Sequence, residues 1–485
     1  MVTGPMPPAR PLVLSPSLQR YEWGDPSFLP ALLGLPAGTA PCAEAWYGDH
    51  PRAPATAHID GRLRPLDEVL ASAPLDYLGA QPSRRAGQLP FLLKLLAAAK
   101  PLSVQVHPNR AQAAAGFARE EAAGIPLGAP ERRYRDPNHK PELVVALTDF
   151  HALCGFRTLA DIASKLDSLP ELSVLLPRWE RTAAGLESMI RAYFALDDDV
   201  VRPALRRLVD RLEAEDVRAP FSADQPEHWA LRAHRDLAKH GEPDRGLLFV
   251  FLLALIHLSP GQGLFLPSGL PHSYLHGAAV ELMASSDNVL RAGLTSKHVD
   301  VDELMGIVRF DAGAPPILDP VPLASGEEST YAIPDGEIEM LRVELGAGAT
   351  FEMQASGPET LLALPASRDD VIEIDDGLGT IVLQAAQSAL VPAGATVELR
   401  ASGPTTLWRA RQPSSEPAGS YRGRCPVRLA FGTSGLRGRV TDITDLEAYI
   451  NARGFLDFLI STGGAVPGGC VALGGDLRQI GRAHV

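Results

Sequence analysis

The sequence predicts a mainly β protein that carries a helical insertion and a second, C-terminal β-sandwich or jelly-roll module. Three regions with different residue patterns lead to this fold class. Short apolar runs alternate with Gly and Pro in about 11–156, apolar residues recur at helical spacing in 158–245, and short strands between Gly-rich turns fill 335–411. A chain of 485 residues has room for about two to four domains, each with its own core.

The first strand-rich region contains apolar runs such as Phe91–Leu96 and Leu143–Leu147, each short enough to be a buried strand. Strand-and-turn character returns in Gly261–Gly269, after the helical stretch. We therefore expect 1–157 and 246–334 to form one domain that the helical insertion interrupts.

The helical insertion, 158–245, is indicated by apolar residues three and four positions apart. Asp197–Asp199 lie near the N-terminal end of the main helical stretch, where acidic side chains favour a helix, and Pro203 is expected in its first turn. The apolar positions that share one face of this stretch are Val201, Ala204, Leu205, Leu208, Val209 and Leu212.

The C-terminal module, 335–411, contains alternating strands such as Leu341–Leu345 and Val397–Arg400, a pattern typical of a small antiparallel sandwich or jelly roll. A polar linker, 412–424, follows it. The remaining residues, 425–479, predict a short α/β fragment, and 480–485 form a separate tail.

The composition excludes several classes of protein. A formal net charge of -13 would repel a phosphate backbone, so we expect no nucleic-acid partner. The most apolar stretch, Leu247–Leu258, is shorter than the roughly 20 residues that span a bilayer, so we expect no membrane partner. The four cysteines have no CxxC spacing, and the N-terminus has no apolar signal core, which together predict a cytoplasmic protein.

Two segments carry the side chains of a predicted metal site. Gln105 and His107 are two positions apart in Pro101–Asn109, so in a strand both point to the same face. Glu142 in Asn138–Leu143 adds a carboxylate, and His272 after a Gly/Pro turn adds a second imidazole. Imidazole with carboxylate suits a divalent ion such as zinc, and a neutral amide oxygen keeps the ion electrophilic. We expect these four donors to close around one cation inside a barrel.

These motifs, in this order and spacing, resemble the type I mannose-6-phosphate isomerases, which are zinc-dependent cupin enzymes. Further matching segments are Tyr21–Gly24, Ala43–Gly48, Leu153–Arg157 and Glu281–Lys297, so the resemblance covers about 11–411. It implies a cupin or jelly-roll catalytic domain, one Zn²⁺ per chain held by Gln105, His107, Glu142 and His272, and a catalytic arginine at Arg291. Ser285 and Ser296 depart from the usual family residues, and neither is a ligand.

The resemblance implies interconversion of mannose 6-phosphate and fructose 6-phosphate through an enediol or enediolate. This reaction needs a base for a carbon-bound proton and positive charge for the developing oxyanion. Arg291 is too basic to accept a proton at neutral pH, so we expect it to orient oxygens and hold negative charge. Glu281 is a candidate base, but it could instead hold the metal ligands in position without binding the ion itself. The expected contacts to phosphate or sugar hydroxyls are Ser103, Lys94, Lys100, Lys140 and Lys297.

Each of these residues taken alone has a more ordinary explanation, such as a strand-terminating His-Pro or a solvated loop carboxylate. Their joint occurrence is what indicates a site. The alternative function is a non-catalytic cupin that binds a sugar phosphate. We expect a monomer whose partner is a small sugar phosphate, and we assign no role to His139, His257 or His276.

The last 60 or so residues resemble the opening of a different enzyme family. Arg428–Gly438 and Gly469–Arg478 are similar to segments of the phosphoglucomutase/phosphomannomutase family of phosphohexomutases. The phosphoserine loop of that family is missing, and about 60 residues bury too little surface to form its fold. We therefore expect no mutase activity, and the interpretation of the whole chain as a mutase is disfavoured.

The final residues, Ile480–Val485, are what translation of ATCGGAAGAGCACACGTC would give, and this nucleotide string resembles a common sequencing-library adapter. We hypothesise that the native gene continues after Gln479 into a full mutase. A stop codon found directly after Val485 on re-amplifying the locus would refute this.

Overall fold

The structure is a computed structural model that describes residues 9–413, except 37, 39, 80–86, 130, 238–240, 296, 298, 324 and 335, together with the backbone of 430–432 and 435–437. The chain divides into two compact units between Pro413 and Ser414, inside the predicted polar linker. No helix among the described residues is long and apolar enough to cross a membrane.

The first strand-rich region begins at Leu12 and ends at Phe156. Its elements are β1 (Leu12–Ser15), β2 (Ser17–Gln19), α1 (Phe28–Leu33), β3 (Glu44–Tyr47), β4 (Thr56–Ile59), β5 (Arg62–Pro65), α2 (Leu66–Ser72), α3 (Pro74–Leu78), β6 (Phe91–Ala98), β7 (Val104–Val106), α4 (Arg110–Ala122), β8 (Glu142–Ala146) and β9 (Phe150–Phe156).

The middle of the chain contains the helical module and then returns to strands. Its elements are α5 (Leu159–Asp167), α6 (Pro170–Ser173), α7 (Ala183–Phe194), α8 (Asp198–Arg218), α9 (Pro226–Leu237), α10 (Leu247–Leu252), β10 (Leu253–Leu258), β11 (Gly263–Leu266), β12 (His272–Ala284), β13 (Leu290–Gly293) and α11 (Val301–Ile307).

The remaining elements are strands. They are β14 (Ile317–Leu318), β15 (Val321–Pro322), β16 (Glu328–Thr330), β17 (Glu339–Leu345), β18 (Thr350–Gln354), β19 (Glu359–Pro365), β20 (Ile372–Asp375), β21 (Thr380–Leu383), β22 (Ser388–Val391), β23 (Thr396–Ala401) and β24 (Thr405–Arg411), and beyond the linker β25 (Ala430–Gly432) and β26 (Gly435–Arg437), which pair with each other.

Eleven strands, from β2 to β14 without β4 and β5, form the predicted catalytic sandwich, in which two packed antiparallel sheets share the long strand β12. Its C-terminal part pairs with β6 and β8, and its N-terminal part pairs with β7 and β9. Gly277 lies at the change of partner with φ of 113°, and a Cβ there would lie 2.4 Å from the carbonyl oxygen of Asp149, so glycine permits the switch. Buried apolar side chains such as Phe150 and Leu264 form the core of this sandwich.

The sandwich is open rather than closed. Among the described strands, β14 and β2 end one sheet, while β10 and β13 end the other. The mainly β, jelly-roll-like fold class is therefore confirmed, but the expectation of a barrel around the cation is wrong. The end strands of the two sheets do not pair with each other, so no closed barrel forms among the described strands.

The C-terminal module is a second antiparallel sandwich, made of a nine-stranded and a four-stranded sheet. Its larger sheet also takes in β1, β4 and β5, because β1 pairs with β22 through Leu12 and Leu390. This sheet therefore contains residues on both sides of the predicted boundary at 335. Long-range strand pairing of this kind leaves no local mark in a sequence.

The helical module packs its apolar face as the periodicity predicted. The face-forming residues of α8, from Val201 to Leu212, are buried. Pro203 differs from expectation, since α8 begins at Asp198 and Pro203 lies beyond the first turn. The helix starts early because the backbone N–H groups of Val200 and Val201 already donate to the Asp197 carbonyl.

Candidate active site

Three donors converge at one end of the catalytic sandwich. His272 begins β12, Glu142 begins β8, and His107 follows β7. The Nε2 atoms of His107 and His272 each lie 3.4 Å from Glu142 Oε2, and all three residues are buried. Among the described residues, the three form one of two groups with metal-ligand geometry.

The two imidazole rings are oriented by backbone carbonyls. His107 Nδ1 lies 2.7 Å from the Asn288 carbonyl oxygen, and His272 Nδ1 lies 3.0 Å from that of Leu270. A proton on each Nδ1 leaves the Nε2 lone pair facing Glu142. Burial, with Lys140 nearby, lowers the pKa of His107 to about 4, so this ring is neutral at neutral pH, as a metal ligand must be.

The geometry fits a tetrahedral ion better than it fits hydrogen bonds within the protein. Bonds of about 2.1 Å to a tetrahedral zinc separate neighbouring donors by roughly 3.4 Å. His107 Nε2 is buried and has no hydrogen-bond partner among the described residues, although buried ring nitrogens are normally paired. These residues therefore fit a divalent ion that would satisfy the unpaired nitrogen.

Gln105 joins the site through strand register. It lies in β7 directly opposite His272 of β12 on one side and opposite Arg291 of β13 on the other. Residues opposite each other in antiparallel strands share a face of the sheet. The amide is therefore beside the imidazole of His272, where its oxygen can supply a fourth donor.

Glu142 is held ionised. Burial alone would raise its pKa, but the ammonium group of Lys140, whose Nζ lies 2.8 Å from Oε1, is the largest opposing effect, and the pKa of Glu142 lies well below the usual range. Oε1 is thus occupied by Lys140, and Oε2 faces the two rings.

A large cavity opens beside these donors. Its volume is about 1310 Å³. Seven of the predicted site residues line it: Lys94, Lys100, Ser103, Gln105, Lys140, Arg291 and Lys297. His107, Glu142 and His272 are buried and do not line the cavity themselves, but the lining residue Lys140 contacts Glu142, and Glu281 is also absent from the described lining.

The cavity cations that have no carboxylate partner within the described residues include Arg135, Arg291 and Lys297. Burial and the neighbouring Arg135 lower the pKa of Arg291, while Arg291 first, then burial and Arg135, lower the pKa of Lys297. Mutual repulsion without a counter-charge is what an anion would relieve. The charges at the cavity therefore favour the binding of a multiply charged anion.

Glu281 lies in a buried polar chain behind the cavity. Its Oε1 accepts from the Tyr274 hydroxyl at 2.7 Å, and its Oε2 lies 3.1 Å from Lys94 Nζ. Lys94 is also 3.6 Å from Glu44 and lies over the ring of Trp46. Burial raises the pKa of Glu281, and Lys94 opposes this effect. Both carboxylate oxygens thus already have partners.

Several cavity residues escaped the sequence reasoning. Arg135 belongs to a run of basic residues just before Asp136, and Asp287 belongs to the Glu281–Lys297 segment, where it pairs with His50 Nε2 at 3.2 Å and Arg52 Nη2 at 2.6 Å. Tyr21 and Trp23, from the family-like segment Tyr21–Gly24, also line the cavity. The basic run was the available signal for Arg135, whereas the pairing of Asp287 depends on the fold.

Comparison with known proteins decides the family. The model for "Phosphomannose isomerase type I, catalytic domain" matches residues 12–159. The mannose-6-phosphate isomerase of Escherichia coli K12 is 39% identical over 324 residues, covering 66% of this chain and 80% of that protein. The human mannose-6-phosphate isomerase is 32% identical over 365 residues, covering 70% of this chain and 82% of that protein.

The chain belongs to the mannose-6-phosphate isomerase family. A solved family member is the mannose 6-phosphate isomerase from Salmonella typhimurium bound to fructose 6-phosphate and zinc, which is 32% identical and superimposes with a TM-score of 0.71 over 84% of this chain and 100% of that one. A zinc-bound mannose 6-phosphate isomerase gives the same identity, TM-score and coverage. The family resemblance read from the sequence is confirmed for the isomerase part.

Proposed function

We propose that this protein is a zinc-dependent aldose-ketose isomerase that interconverts mannose 6-phosphate and fructose 6-phosphate. One observation carries the proposal: two imidazole nitrogens lie 3.4 Å from one ionised carboxylate oxygen, beside a cavity that contains cations without carboxylate partners among the described residues. The names of the related proteins specify the same reaction and the same ion. A binding protein has no need for an electrophilic ion beside such a cavity.

We assign the zinc ligands as Gln105, His107, Glu142 and His272, with one ion per chain. When bound, the ion supplies Lewis-acid polarisation of a sugar carbonyl. Lys140 holds the second oxygen of Glu142, so that this carboxylate presents a single oxygen to the ion. The carbonyls of Asn288 and Leu270 keep both rings in the ligand tautomer.

Arg291, Arg135 and Lys297 hold negative charge on the substrate. A phosphate is a multiply charged anion, and guanidinium groups bind it through paired N–H donors. Lys100, Ser103 and Lys94 reach the same cavity and supply further donors for phosphate or sugar hydroxyls. None of these cations need lose a proton during the reaction.

Glu281 acts as a positioning residue in this proposal rather than as the base. Its two oxygens are used by Tyr274 and Lys94, which keeps the Lys94 ammonium at the cavity wall. The proton must then be moved by a group that lines the cavity. A Glu281→Gln variant is expected to raise KM and lower kcat while still exchanging substrate protons with deuterated solvent, whereas complete loss of exchange would make Glu281 the base.

The isomerase assignment is tested by following fructose 6-phosphate formation from mannose 6-phosphate with metal-free and zinc-reconstituted protein. We expect activity only after zinc is restored. The alternative function, a non-catalytic cupin, predicts sugar-phosphate binding by calorimetry without turnover in either preparation. Undiminished turnover in metal-free protein would contradict the role of zinc.

We propose the following domain division: a catalytic domain of 1–157 and 246–334, a helical insertion of 158–245, and a C-terminal jelly-roll module of 335–411. The protein is further proposed to act in the cytoplasm as a monomer. Sedimentation equilibrium at several concentrations tests the monomer, and a mass of twice the chain would contradict it.

We also propose that 425–479 is the N-terminal part of a phosphohexomutase, without activity as it stands. Apart from the short pair of β25 and β26, this part of the chain lies outside the described residues. The proposal is supported by the two motifs Arg428–Gly438 and Gly469–Arg478, which occur in the order of that family. Detectable mannose 1-phosphate formation from mannose 6-phosphate by the purified chain would contradict the predicted inactivity.

A further inference from the structure

A second group of metal-type donors lies outside the active site. His151, Asp224 and His257 each offer one ligand atom, and the three atoms lie within 4.8 Å of one another, the same limit that His107, Glu142 and His272 meet. We propose that these three residues bind a second zinc ion, which fastens the helical module to the outer face of the catalytic sandwich.

Strand register brings the two histidines together. His257 of β10 is directly opposite His151 of β9, and their rings stack with centroids 4.6 Å apart at an interplanar angle of 7°. The next residue, Ala152, belongs to the sandwich core, so His151 points to the opposite face of the sheet. His151 is also opposite His276 of β12, so three imidazoles cross three strands in one row.

His151 has the character of a ligand without its ion. Its Nδ1 is buried and has no hydrogen-bond partner among the described residues, and its ring packs against Trp229 of the helical module. The ring therefore has a nitrogen that is free to bind an ion.

His257 is oriented by a carboxylate. Its Nε2 lies 3.1 Å from Asp149 Oδ1, and its side chain is 43% exposed. A proton on Nε2 donated to Asp149 leaves the Nδ1 lone pair of the same ring available, which is the arrangement that carboxylates impose on metal-bound histidines. The two rings must leave their stacked arrangement for both lone pairs to point at one ion. The exposed side chain of His257 has room to rotate for this.

Asp224 comes from the helical module, in the turn between α8 and α9. That turn is fixed by the Trp229 indole, which donates to the Ala223 carbonyl at 2.7 Å, and by the backbone N–H of Phe221, which donates to Asp216 at 2.9 Å. The exposed carboxylate is therefore held near the histidines before any ion arrives. Binding would tie the turn to β9 and β10.

The donor chemistry favours zinc over calcium or magnesium. Two imidazoles and one carboxylate form a three-donor set that zinc accepts with water as the fourth ligand, whereas calcium and magnesium prefer oxygen donors only. Zinc bonds of about 2.1 Å require donors roughly 3.4 Å apart. The side chains of His257 and Asp224 are exposed and can close the remaining gap by rotation.

Zinc titration of metal-depleted protein against a chelating indicator tests the proposal by counting sites. We expect two equivalents for the unchanged chain and one for both His257→Asn and Asp224→Asn, with isomerase activity at one equivalent of zinc retained in both variants. Glu142→Gln is expected to lose the zinc equivalent that binds at the active site and to keep the equivalent that binds His151, Asp224 and His257. His58→Asn, an exposed histidine on β4, serves as the matched control and should still bind two.

Hydrogen exchange provides a second readout. Adding zinc beyond one equivalent should slow amide exchange in 219–229 for the unchanged chain but not for Asp224→Asn. A single equivalent in the unchanged chain, or a second equivalent that survives in both His257→Asn and Asp224→Asn, would overturn the proposal. Because the sites are counted separately, failure here leaves the isomerase proposal intact.

Discussion

The two sandwiches use buried charge in opposite ways. In the C-terminal module, the buried Arg409 is paired with Glu359 at 2.8 Å and also with Glu328. In the catalytic sandwich, Arg291 and Lys297 face a cavity without carboxylate partners among the described residues. The buried Glu142 there is paired with Lys140 through one oxygen and directs the other towards two imidazoles.

This difference shows where the molecule leaves interactions unsatisfied. Burying charge is costly unless the charge is paired, so cations without a carboxylate partner at a cavity indicate where a charged ligand can supply the partner. The buried ion pair of the C-terminal module is matched within the protein, which suits a structural role. The catalytic sandwich instead presents its cations to a cavity, where an anion can reach them.

The largest expected effect comes from removing a cavity cation. Arg291→Met should lower kcat/KM for mannose 6-phosphate by about 10² to 10³-fold, the usual cost of losing one preorganised charge-stabilising group. Steady-state kinetics at saturating zinc measures this change. Arg309→Met, an exposed arginine paired with Asp311, is the control and should keep normal kinetics. Equal loss in both variants would contradict the comparison.

A core substitution in the C-terminal module should lower the stability of the protein without changing its catalysis. Leu399→Ala empties a fully buried position and is expected to lower the free energy of unfolding by about 2 to 5 kcal/mol, with kcat per folded molecule unchanged. Urea unfolding and active-site titration measure the two quantities. Leu378→Ala, at an exposed position of the same module, should change neither. A fall in kcat per folded molecule would show that this module takes part in catalysis.

The stability of metal-free protein should depend on pH through His107. Its pKa is about 4 in the folded protein and 6.5 in the unfolded chain, so the unfolded chain binds more protons between these values. Stability from this residue is fully present above pH 6.5 and is lost as the pH falls towards 4, by roughly 2 to 3 kcal/mol. Urea unfolding with chelator at pH 5 and pH 7 should show a smaller difference for His107→Gln. An unchanged difference would mean that other groups cause the loss.

The smallest expected effect concerns the residue that steadies His107. The buried Asn288 donates from Nδ2 to the carbonyls of Asp136 and Asn138, and its own carbonyl accepts from His107. Asn288→Ala should weaken zinc affinity by about 10 to 100-fold, the range typical of substituting a residue that orients a metal ligand. Competition against a zinc indicator measures this affinity. Gln384→Ala, an exposed amide in the turn after β21, should leave it unaltered.

The sequence was informative wherever a pattern is local. Spacing in α8 predicted its buried face, and the motifs around His107, Glu142 and His272 predicted three side chains that the structure brings together. Pro203 lies less than one turn further into α8 than the sequence predicted, because the residue at which a helix begins depends on capping contacts rather than on periodicity.

The rest depended on contacts between distant residues. Glu281 offered no local sign that Lys94 and Tyr274 occupy its oxygens, because the Lys94 pairing follows from the register of β12 on β6. The joining of β1 to β22 and the open edges of the sandwich are likewise properties of strand order. His257 looked unremarkable in the sequence, and only its position opposite His151 gives it a candidate partner.

The central claim is that four specific side chains hold one zinc ion beside the cavity. An anomalous difference map from crystals grown with one equivalent of zinc tests it most directly. We expect a single strong peak between His107 Nε2, His272 Nε2 and Glu142 Oε2, at about 2.0 to 2.3 Å from each, with the Gln105 amide oxygen as the fourth ligand. A peak elsewhere, or one bound without Glu142, would contradict the claim.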